Sequence, residues 1–417
     1  MKASALPLIA VLILTSCNSE KKSEKVQAQN PVKLISSPTD GNSSLPFLSK
    51  DDKNNLILSW VERLEDSAVL KFSTFDSKSW SPPNIISSGT DWFVNWADYP
   101  SVVRSGNQMI SHFLAKSSPE TFSYDVHLTQ SGNGGQQWQP DFIPHKDGTL
   151  TEHGFVSLLP FEDRFFAAWL DGRNTGGSHG GENHDDEERG AMTIRGAFVS
   201  TSGELSGEAL LDDRICDCCQ TGGAITENGP IIVYRDRSED EIRDMSIVRY
   251  VNGEWTNPKV IYKDDWKIAG CPVNGPSASA IGSSLAVAWF SAANQESEVK
   301  VIFSNDNGGT FGNIVIIDKS SPIGRVDVSM IDKTTAIVSW LDKSIENAEF
   351  KAALVTSDGQ IKNEFTIAEI DPSRKSGFPQ MEVINDNFYF AWTELSDNNE
   401  STVRIAQLFQ DKLAAGI

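Results

Sequence analysis

The sequence predicts an all-β protein, a β-propeller of seven four-stranded blades that is closed by an N-terminal strand. One pattern occurs seven times: a small or Pro-containing start, a short hydrophobic run, a polar hairpin, and a second hydrophobic run that usually closes on Trp and a carboxylate. The seven copies are Leu45 to Glu62, Tyr99 to Phe113, Gly154 to Asp171, Gly222 to Asp236, Gly275 to Phe290, Arg325 to Asp342 and Phe378 to Glu394. Repeats of roughly 40 to 55 residues with about four strands each are typical of propellers.

The two ends of the repeat region favour a closed ring over an open stack. The N-terminal stretch from Pro31 to Ile35 resembles the outermost strands of the later repeats, such as Pro258 to Ile261. The last repeat stops after its third strand, Val403 to Ala406. We therefore expect the N-terminal strand to complete the last blade and to remove an open sheet edge.

The first thirty residues are predicted to lie outside the propeller. Lys2 precedes an apolar run from Leu6 to Leu14, and the segment Leu14 to Cys17 resembles a bacterial lipobox. This resemblance implies a signal peptide over residues 1–17, lipidation of Cys17, and anchoring in the bacterial cell envelope, with the outer membrane favoured. Residues 18–30 are predicted to be a flexible tether, and residues 31–417 a single propeller domain.

The charge of the chain narrows the choice of partners. The formal net charge is −21, which argues against nucleic acid because phosphates would be repelled. We expect a monomer that contacts a membrane only through its lipid.

Four cysteines other than Cys17 occur in the chain: Cys216, Cys218, Cys219 and Cys271. An even number in an exported protein favours disulfides, which was the first interpretation. A metal–thiolate cluster and a free reactive thiol are the alternatives. Because the first three precede the fourth blade and the last precedes the fifth, all four are expected on one rim of the propeller.

Two turns carry a recognisable motif. The turn from Ser304 to Phe311 resembles the Asp box of sialidase-like propellers, Ser-x-Asp-x-Gly-x-x-Trp, with Phe in place of Trp; the turn from Ser131 to Trp138 is similar, with Asn in place of Asp. The resemblance implies a propeller of the sialidase-like class and, if the protein is an enzyme, a glycoside hydrolase. Sialidases have six blades, so six is the alternative count. Where sialidases have an Arg-Ile-Pro motif, this chain has Leu45 to Phe47.

One face of the predicted propeller collects the residues that could perform chemistry. Guanidinium groups bind carboxylates in a bidentate manner, so four arginines are candidates to hold an anionic glycan or sugar acid: Arg173, Arg235, Arg237 and Arg325. Pairing with neighbouring acids is the alternative role for these arginines. Glycoside hydrolysis needs a carboxyl pair, or a Tyr backed by an acid. The candidates are Asp98, Tyr99, Asp171 and Tyr234.

The longest insertion, Gly172 to Gly190, overhangs the same face. Its histidines and acids are possible ligands for a divalent metal, namely His179, His184, Asp185 and Glu187. Two functions therefore remain open. The first is an envelope-anchored propeller that binds, and in the enzymatic case hydrolyses, an anionic glycan. The second is a non-catalytic propeller that binds a partner protein or a metal through its Cys- and His-rich rim.

Overall fold

The computed structural model of the chain describes residues 32–176, 190–398 and 400–410. Seven antiparallel sheets form a seven-bladed propeller, so the count of seven, rather than six, is confirmed. The first blade comprises β2 (Ser43–Lys50), β3 (Leu56–Leu64), β4 (Ser67–Phe75) and β5 (Asn84–Gly89). The second comprises β6 (Val102–Ser105), β7 (Gln108–Lys116) and β8 (Tyr124–Ser131). The third comprises β9 (His153–Phe161), β10 (Arg164–Asp171), β11 (Thr193–Val199) and β12 (Leu205–Asp212).

The remaining four blades follow in chain order. The fourth comprises β13 (Gly222–Thr226), β14 (Gly229–Arg235), β15 (Met245–Val251), β16 (Glu254–Trp255) and β17 (Lys259–Tyr262), and the fifth β18 (Ser277–Ile281), β19 (Ser284–Ser291), β20 (Glu298–Ser304) and β21 (Val315–Asp318). The sixth comprises β22 (Pro322–Met330), β23 (Thr335–Lys343), β24 (Ala348–Thr356) and β25 (Ile361–Ile370). The seventh comprises β26 (Gln380–Ile384), β27 (Asn387–Leu395) and β28 (Ser401–Phe409), together with β1 (Lys33–Ile35).

Two blades depart from the four-strand pattern. In the second blade, an isolated bridge between Leu128 and Phe142 stands where a fourth strand would pair with β8. In the fourth blade, two short strands, β16 and β17, both pair with β15. Within the described residues, no helix has the length and apolar character needed to cross a membrane.

The N-terminal strand closes the ring, as predicted. Strand β1 pairs antiparallel with β28, with Lys33 opposite Gln407 and Ile35 opposite Ile405. The last blade is therefore built from both ends of the described chain, and the outer edge of β28 is covered.

The second strand of each blade explains the long hydrophobic runs in the sequence. Such a strand is packed on both faces by neighbouring blades, and β14 and β19 are accordingly buried along their whole length. The first strands line a central cavity instead. The core therefore lies between blades, which allows one domain to exceed the size of a single hydrophobic core.

The repeated tryptophans are core residues. Five of them lie on second strands and are at most 2% exposed: Trp60, Trp169, Trp289, Trp340 and Trp392. Each lies opposite a cation on the third strand: Lys71, Arg195, Lys300, Lys351 or Arg404. Four of the indoles donate to a nearby carboxylate, as Trp340 does to Asp318 over 2.6 Å. The Trp-and-carboxylate ending of the repeats is therefore explained by packing and charge pairing.

The two similar turns adopt the same hydrogen-bond pattern. Ser131 Oγ accepts from Gly135 N over 2.9 Å, and Ser304 Oγ accepts from Gly308 N over 3.0 Å. The third residue of each turn accepts a further amide four residues on, Asn133 from Gln137 and Asp306 from Thr310. Short polar side chains therefore stabilise both hairpins locally.

Candidate metal centre at the rim of blades four and five

A loop between the third and fourth blades carries three of the cysteines, and the surrounding backbone holds it in place. The amide of Cys216 donates to Arg235 O over 3.0 Å, beside a β-bridge between Ile215 and Asp236. At the other end of the loop, Gln220 Nε2 donates to Ala97 O over 2.6 Å, and Gln220 Oε1 accepts from Gly275 N over 3.1 Å. Gln220 therefore connects this loop with the second and fifth blades.

The fourth cysteine, Cys271, reaches this loop because a glycine permits close approach. A Cβ atom on Gly275 would lie 2.0 Å from Gln220 O, which no side chain could accept. The segment from Cys271 to Gly275 can therefore pack directly against the loop from Cys216 to Gln220. Gln220 and Gly275, which are 55 positions apart in the chain, therefore meet at one place on the rim.

The four thiols form one cluster, which we call the cysteine cluster. The sulfur of Cys216 lies 3.9 Å from that of Cys218 and 3.4 Å from that of Cys219, and the thiols of Cys218 and Cys271 lie close enough to shift each other's pKa. Cys216 and Cys219 are buried, Cys218 is half-buried and Cys271 is exposed.

The expected disulfides are not present, because all four cysteines are free. A disulfide would bring two sulfurs to about 2.05 Å, well inside the separations seen in the cluster. Cys216 and Cys219 have the Cys-x-x-Cys spacing that permits a disulfide, but their sulfurs lie 3.4 Å apart, outside bonding distance.

A buried arginine gives the cluster its electrostatic character. Arg243 Nη1 donates to Cys216 Sγ over 3.1 Å, and its Nη2 donates to Glu241 over 2.7 Å. Hydrogen bonds from Cys218 and Cys219, together with the Arg243 charge, hold the pKa of Cys216 well below its usual value. The pKa of Cys271 is also lowered, chiefly by Cys218. Interactions with the other three thiols are the main cause of the raised pKa of Cys218, whereas burial is the main cause of the raised pKa of Cys219.

The cluster can hold a metal ion. Three of its sulfurs lie within 4.8 Å of one another. A Zn–S bond of about 2.3 Å gives a tetrahedral S–S edge of about 3.8 Å, so little movement is needed. Cys271, the exposed member, provides a route of entry from solvent.

The arginines predicted to bind a carboxylate are engaged within the protein. Arg235 is 1% exposed and donates to the backbone carbonyls of Asn274, Arg243 and Phe290. Arg325 is 5% exposed and donates to Ser376 and to three carbonyls between Pro372 and Gly377. Both side chains join neighbouring segments, because a guanidinium group can satisfy several orphan carbonyls at once.

The other two arginines pair with acids, as the alternative interpretation held. Arg173 makes a bidentate contact with Asp171, with both distances 2.7 Å. Arg237 binds Glu241 over 2.7 Å and Asp217 over 3.1 Å. The structure therefore does not bring the four predicted arginines into one carboxylate site.

The predicted catalytic residues are separated into different environments. Asp98 and Tyr99 line the central cavity. Asp171 lies at the end of β10 against Arg173, and Tyr234 donates to Asp212 over 2.6 Å between blades. A single catalytic group made from all four residues is consequently not formed.

Asp98 is a buried acid. It accepts from Phe155 N over 2.8 Å, and burial, with the nearby charge of Glu152, raises its pKa to about 8. Burial also raises the pKa of Tyr99. Tyr124 donates to Glu152 in the same region. Asp98 is therefore protonated at neutral pH.

The central cavity has a volume of about 380 Å³ and is lined by the first strands of the blades. On its wall Asp327 accepts from Ser277 Oγ and from Met381 N, each over 2.8 Å, and burial raises the pKa of Asp327 to about 6. Within the described chain, its lining includes no arginine. Its chemistry is that of buried acids and hydroxyls.

Several predicted residues cannot be placed. The metal candidates His179, His184, Asp185 and Glu187, and the lipidation candidate Cys17, lie outside the described residues. The sequence interpretation also missed His145 and His153, which belong to a second cluster that is described below. A signal was available, since the chain has only six histidines and His145 is followed two positions later by Asp147.

Comparisons with known proteins agree with the architecture. No family model matches the chain, and no curated protein matches it. Among solved structures, the polysaccharide lyase Uly1 superposes with a TM-score of 0.51 at 8% identity, covering 91% of this chain and 99% of that one. At this identity the similarity shows a shared fold.

Other similar structures are a sialidase and an arabinofuranosidase. The NanB sialidase of Streptococcus pneumoniae has a TM-score of 0.48 at 13% identity, covering 95% of this chain and 73% of that chain. The alpha-L-arabinofuranosidase Arb93A of Fusarium graminearum has a TM-score of 0.48 at 11% identity, covering 92% of this chain and 98% of that chain.

Proposed function

We propose that the protein binds a thiophilic metal ion, of the Cu(I) or Zn(II) type, in the cysteine cluster. The observation that carries the proposal is the group of three free thiols, Cys216, Cys218 and Cys219, whose sulfurs lie within 4.8 Å of one another. Cys271, a fourth free thiol from a separate segment, interacts with Cys218. Thiolates select soft ions, and a turn that already holds their sulfurs at suitable separations reduces the ordering cost of binding.

The charge of the surroundings supports this function. Four thiolates around a divalent ion carry a charge of about −2. Arg243 contacts one of these sulfurs directly, and the charge of Arg235 partly opposes the burial that raises the pKa of Cys219. The two guanidinium groups therefore offset the charge of a filled site.

Metal analysis of the whole chain, purified under reducing conditions, tests the proposal. We expect one thiolate-bound Zn(II) or Cu(I) ion per chain, and the loss of one ion per chain in the paired variant Cys216→Ser and Cys219→Ser. The matched control is Cys17→Ser, which leaves the cluster intact. Elemental analysis distinguishes the two metals. Absence of stoichiometric metal, together with air oxidation of the four thiols to two disulfides, would contradict the proposal.

The N-terminal segment is proposed to anchor this site in the bacterial envelope. The support is the apolar run from Leu6 to Leu14 directly before the lipobox-like Cys17. In cells given a clickable fatty acid, we expect label on the wild-type chain and none on Cys17→Ser. Equal labelling of both would contradict the anchor.

A second candidate function is binding or hydrolysis of a sugar in the central cavity. A volume of about 380 Å³ is in the range of small-molecule sites, and Asp98 and Tyr99 supply an acid and a phenol on its wall. The lining favours a neutral sugar over the anionic one expected from the sequence, since the cavity's cation Lys50 pairs with Glu382 over 3.0 Å.

A screen of aryl glycosides and sialosides tests the second candidate. We expect turnover of a neutral aryl glycoside that Asp98→Asn abolishes. The control is Asp76→Asn, which alters an exposed acid in a hairpin turn. Turnover that persists in Asp98→Asn, or absence of any turnover, would reject the assignment of the cavity.

A further inference from the structure

Two buried histidines stack against each other on the second and third blades. The rings of His145 and His153 are 3.7 Å apart between centroids and 9° from parallel. Their side chains are 4% and 0% exposed. Burying an imidazole costs free energy unless its ring nitrogens have hydrogen-bond or metal partners. The atoms that surround these four nitrogens therefore indicate what the pair is built to bind.

The backbone brings an aspartate beside this stack. A parallel bridge joins Tyr124 and Glu152, and the amide of Tyr124 donates to Thr151 O over 3.2 Å. The next residues along the two strands are Asp125 and His153, which therefore lie side by side. His145 comes from the connection between β8 and β9.

One edge of the stack faces Asp147. Asp147 Oδ2 accepts from His145 Nδ1 over 3.1 Å and lies 3.3 Å from His153 Nε2. Asp147 itself accepts from the amide of Thr149 over 3.0 Å. The hydrogen bond to Asp147 places the proton of His145 on Nδ1, which leaves the lone pair of His145 Nε2 on the opposite edge.

Four buried atoms of this group make no hydrogen bond: His145 Nε2, both ring nitrogens of His153, and Asp125 Oδ1. Three of them, His145 Nε2, His153 Nδ1 and Asp125 Oδ1, lie on the edge opposite Asp147. The Asp125 oxygen lies 3.7 Å from the His145 nitrogen and 3.4 Å from the His153 nitrogen. An ion with bonds of about 2.0–2.2 Å bridges donors up to about 4 Å apart. Each imidazole lone pair lies in the plane of its ring, so all three atoms reach the same ion once the two rings rotate out of their parallel stack.

We propose that Asp125, His145 and His153 bind a divalent transition-metal ion, with Asp147 as the residue that orients the His145 imidazole. Two imidazole nitrogens and one carboxylate, with further positions open, suit Fe(II) or Zn(II). This site is independent of the cysteine cluster, because the two share no ligand.

The surrounding charges fit a dication. Three carboxylates meet at the cluster, those of Asp125, Asp147 and Asp171. Two guanidinium groups offset part of this charge, Arg173 at 2.7 Å and Arg195 at 4.0 Å from Asp171. With both imidazoles neutral, the three carboxylates and two guanidinium groups together carry one net negative charge. A divalent ion would change this net charge to one positive, whereas a proton on His153 would bring it to zero.

Cobalt titration of the intact wild-type chain tests the proposal and separates it from the cysteine cluster. Co(II) bound by thiolates gives an intense sulfur-to-metal charge-transfer band, whereas Co(II) bound by nitrogen and oxygen does not. We expect a cobalt equivalent without this band, and paramagnetically shifted imidazole resonances from two histidines. Histidine resonances that stay unshifted at saturating Co(II), with His153 protonated on both nitrogens, would overturn the site.

Variants check which residues bind the ion. We expect His145→Gln and Asp125→Asn each to remove the cobalt equivalent that lacks the charge-transfer band, and Asp147→Asn to weaken its binding about 10- to 100-fold. The matched control is His127→Gln, because His127 lies on β8 with Asp125 but pairs with Asp141 over 2.6 Å. Failure of the cysteine cluster would leave these results unchanged. Equal cobalt binding by His145→Gln and His127→Gln would overturn the proposal.

Discussion

Replacing Arg243 by methionine tests whether the cysteine cluster is an electrostatically tuned metal site. The guanidinium group donates to Cys216 Sγ over 3.1 Å and to Glu241 over 2.7 Å, and its side chain is 4% exposed. Methionine keeps most of the apolar volume and removes the charge. The thiolate at Cys216 would lose its cationic partner, so the pKa of Cys216 should rise.

The size of the effect follows from the contact. A hydrogen bond to a charged group contributes about 1.5–3 kcal/mol, and two unit charges about 4 Å apart near a protein surface interact by about 4 kcal/mol as an upper bound. We therefore expect the Kd for Zn(II) to rise about 10- to 150-fold in Arg243→Met. The assay is competition with a chromophoric chelator at constant pH and salt.

Two variants control for the fold and for the charge. Arg237→Met removes a nearby arginine whose hydrogen bonds go to Asp217 and Glu241, so its Kd should stay close to wild type. Arg243→Lys should recover part of the affinity because it restores a positive charge. Thermal unfolding of each variant establishes that it is folded. If Arg243→Met and Arg237→Met bind Zn(II) equally well, the electrostatic reasoning is refuted.

Three further predictions concern packing and buried charge. Gly275→Ala places a Cβ 2.0 Å from Gln220 O and should abolish stoichiometric metal binding, whereas Gly270→Ala, whose nearest neighbour atom is 3.9 Å away, should bind normally in the same titration. Because the pKa of Asp98 is raised to about 8 in the folded state, the folded chain keeps a proton that the unfolded chain loses above about pH 4. The free energy of unfolding should therefore fall as the pH rises from about 4 to 8. In denaturant titrations, Asp98→Asn should show a smaller fall over this range. An unchanged pH profile would contradict the burial of that charge. Trp340→Ala should lower the free energy of unfolding by about 3–5 kcal/mol, measured by denaturant titration, because the indole is fully buried between blades; a loss below about 1 kcal/mol would show that the blades repack around it.

The architecture could be predicted from the sequence because it rests on local, repeated patterns. Seven alternations of hydrophobic run and polar hairpin specify seven blades, and the short strand from Lys33 to Ile35 pairs where the last repeat lacks an outer strand. The tryptophans recur at one register, which identifies them as packing residues. Each of these signals lies within one repeat or at a chain end, so no knowledge of distant contacts was needed.

The partners of charged side chains could not be predicted in this way. Arg235 and Arg325 look like ligand-binding groups in sequence, yet both donate to backbone carbonyls of other blades. A guanidinium group that reaches across a blade boundary finds acceptors far away in the chain, and sequence spacing carries no information about them. The same holds for His145 and His153, whose stacking depends on how the second blade meets the third.

The sequence by itself determined the ring, its closure, and the rim on which the four cysteines gather, because these follow from the order and period of the strands. Only the tertiary structure decided that the cysteines are free thiols around Cys216, and that the arginines bind the protein's own carbonyls and carboxylates. The physical reason is that the strand pattern is set by residues close together in the sequence. Protonation states, ion pairs and metal-site geometry depend instead on atoms within about 4 Å of one another that come from separate blades.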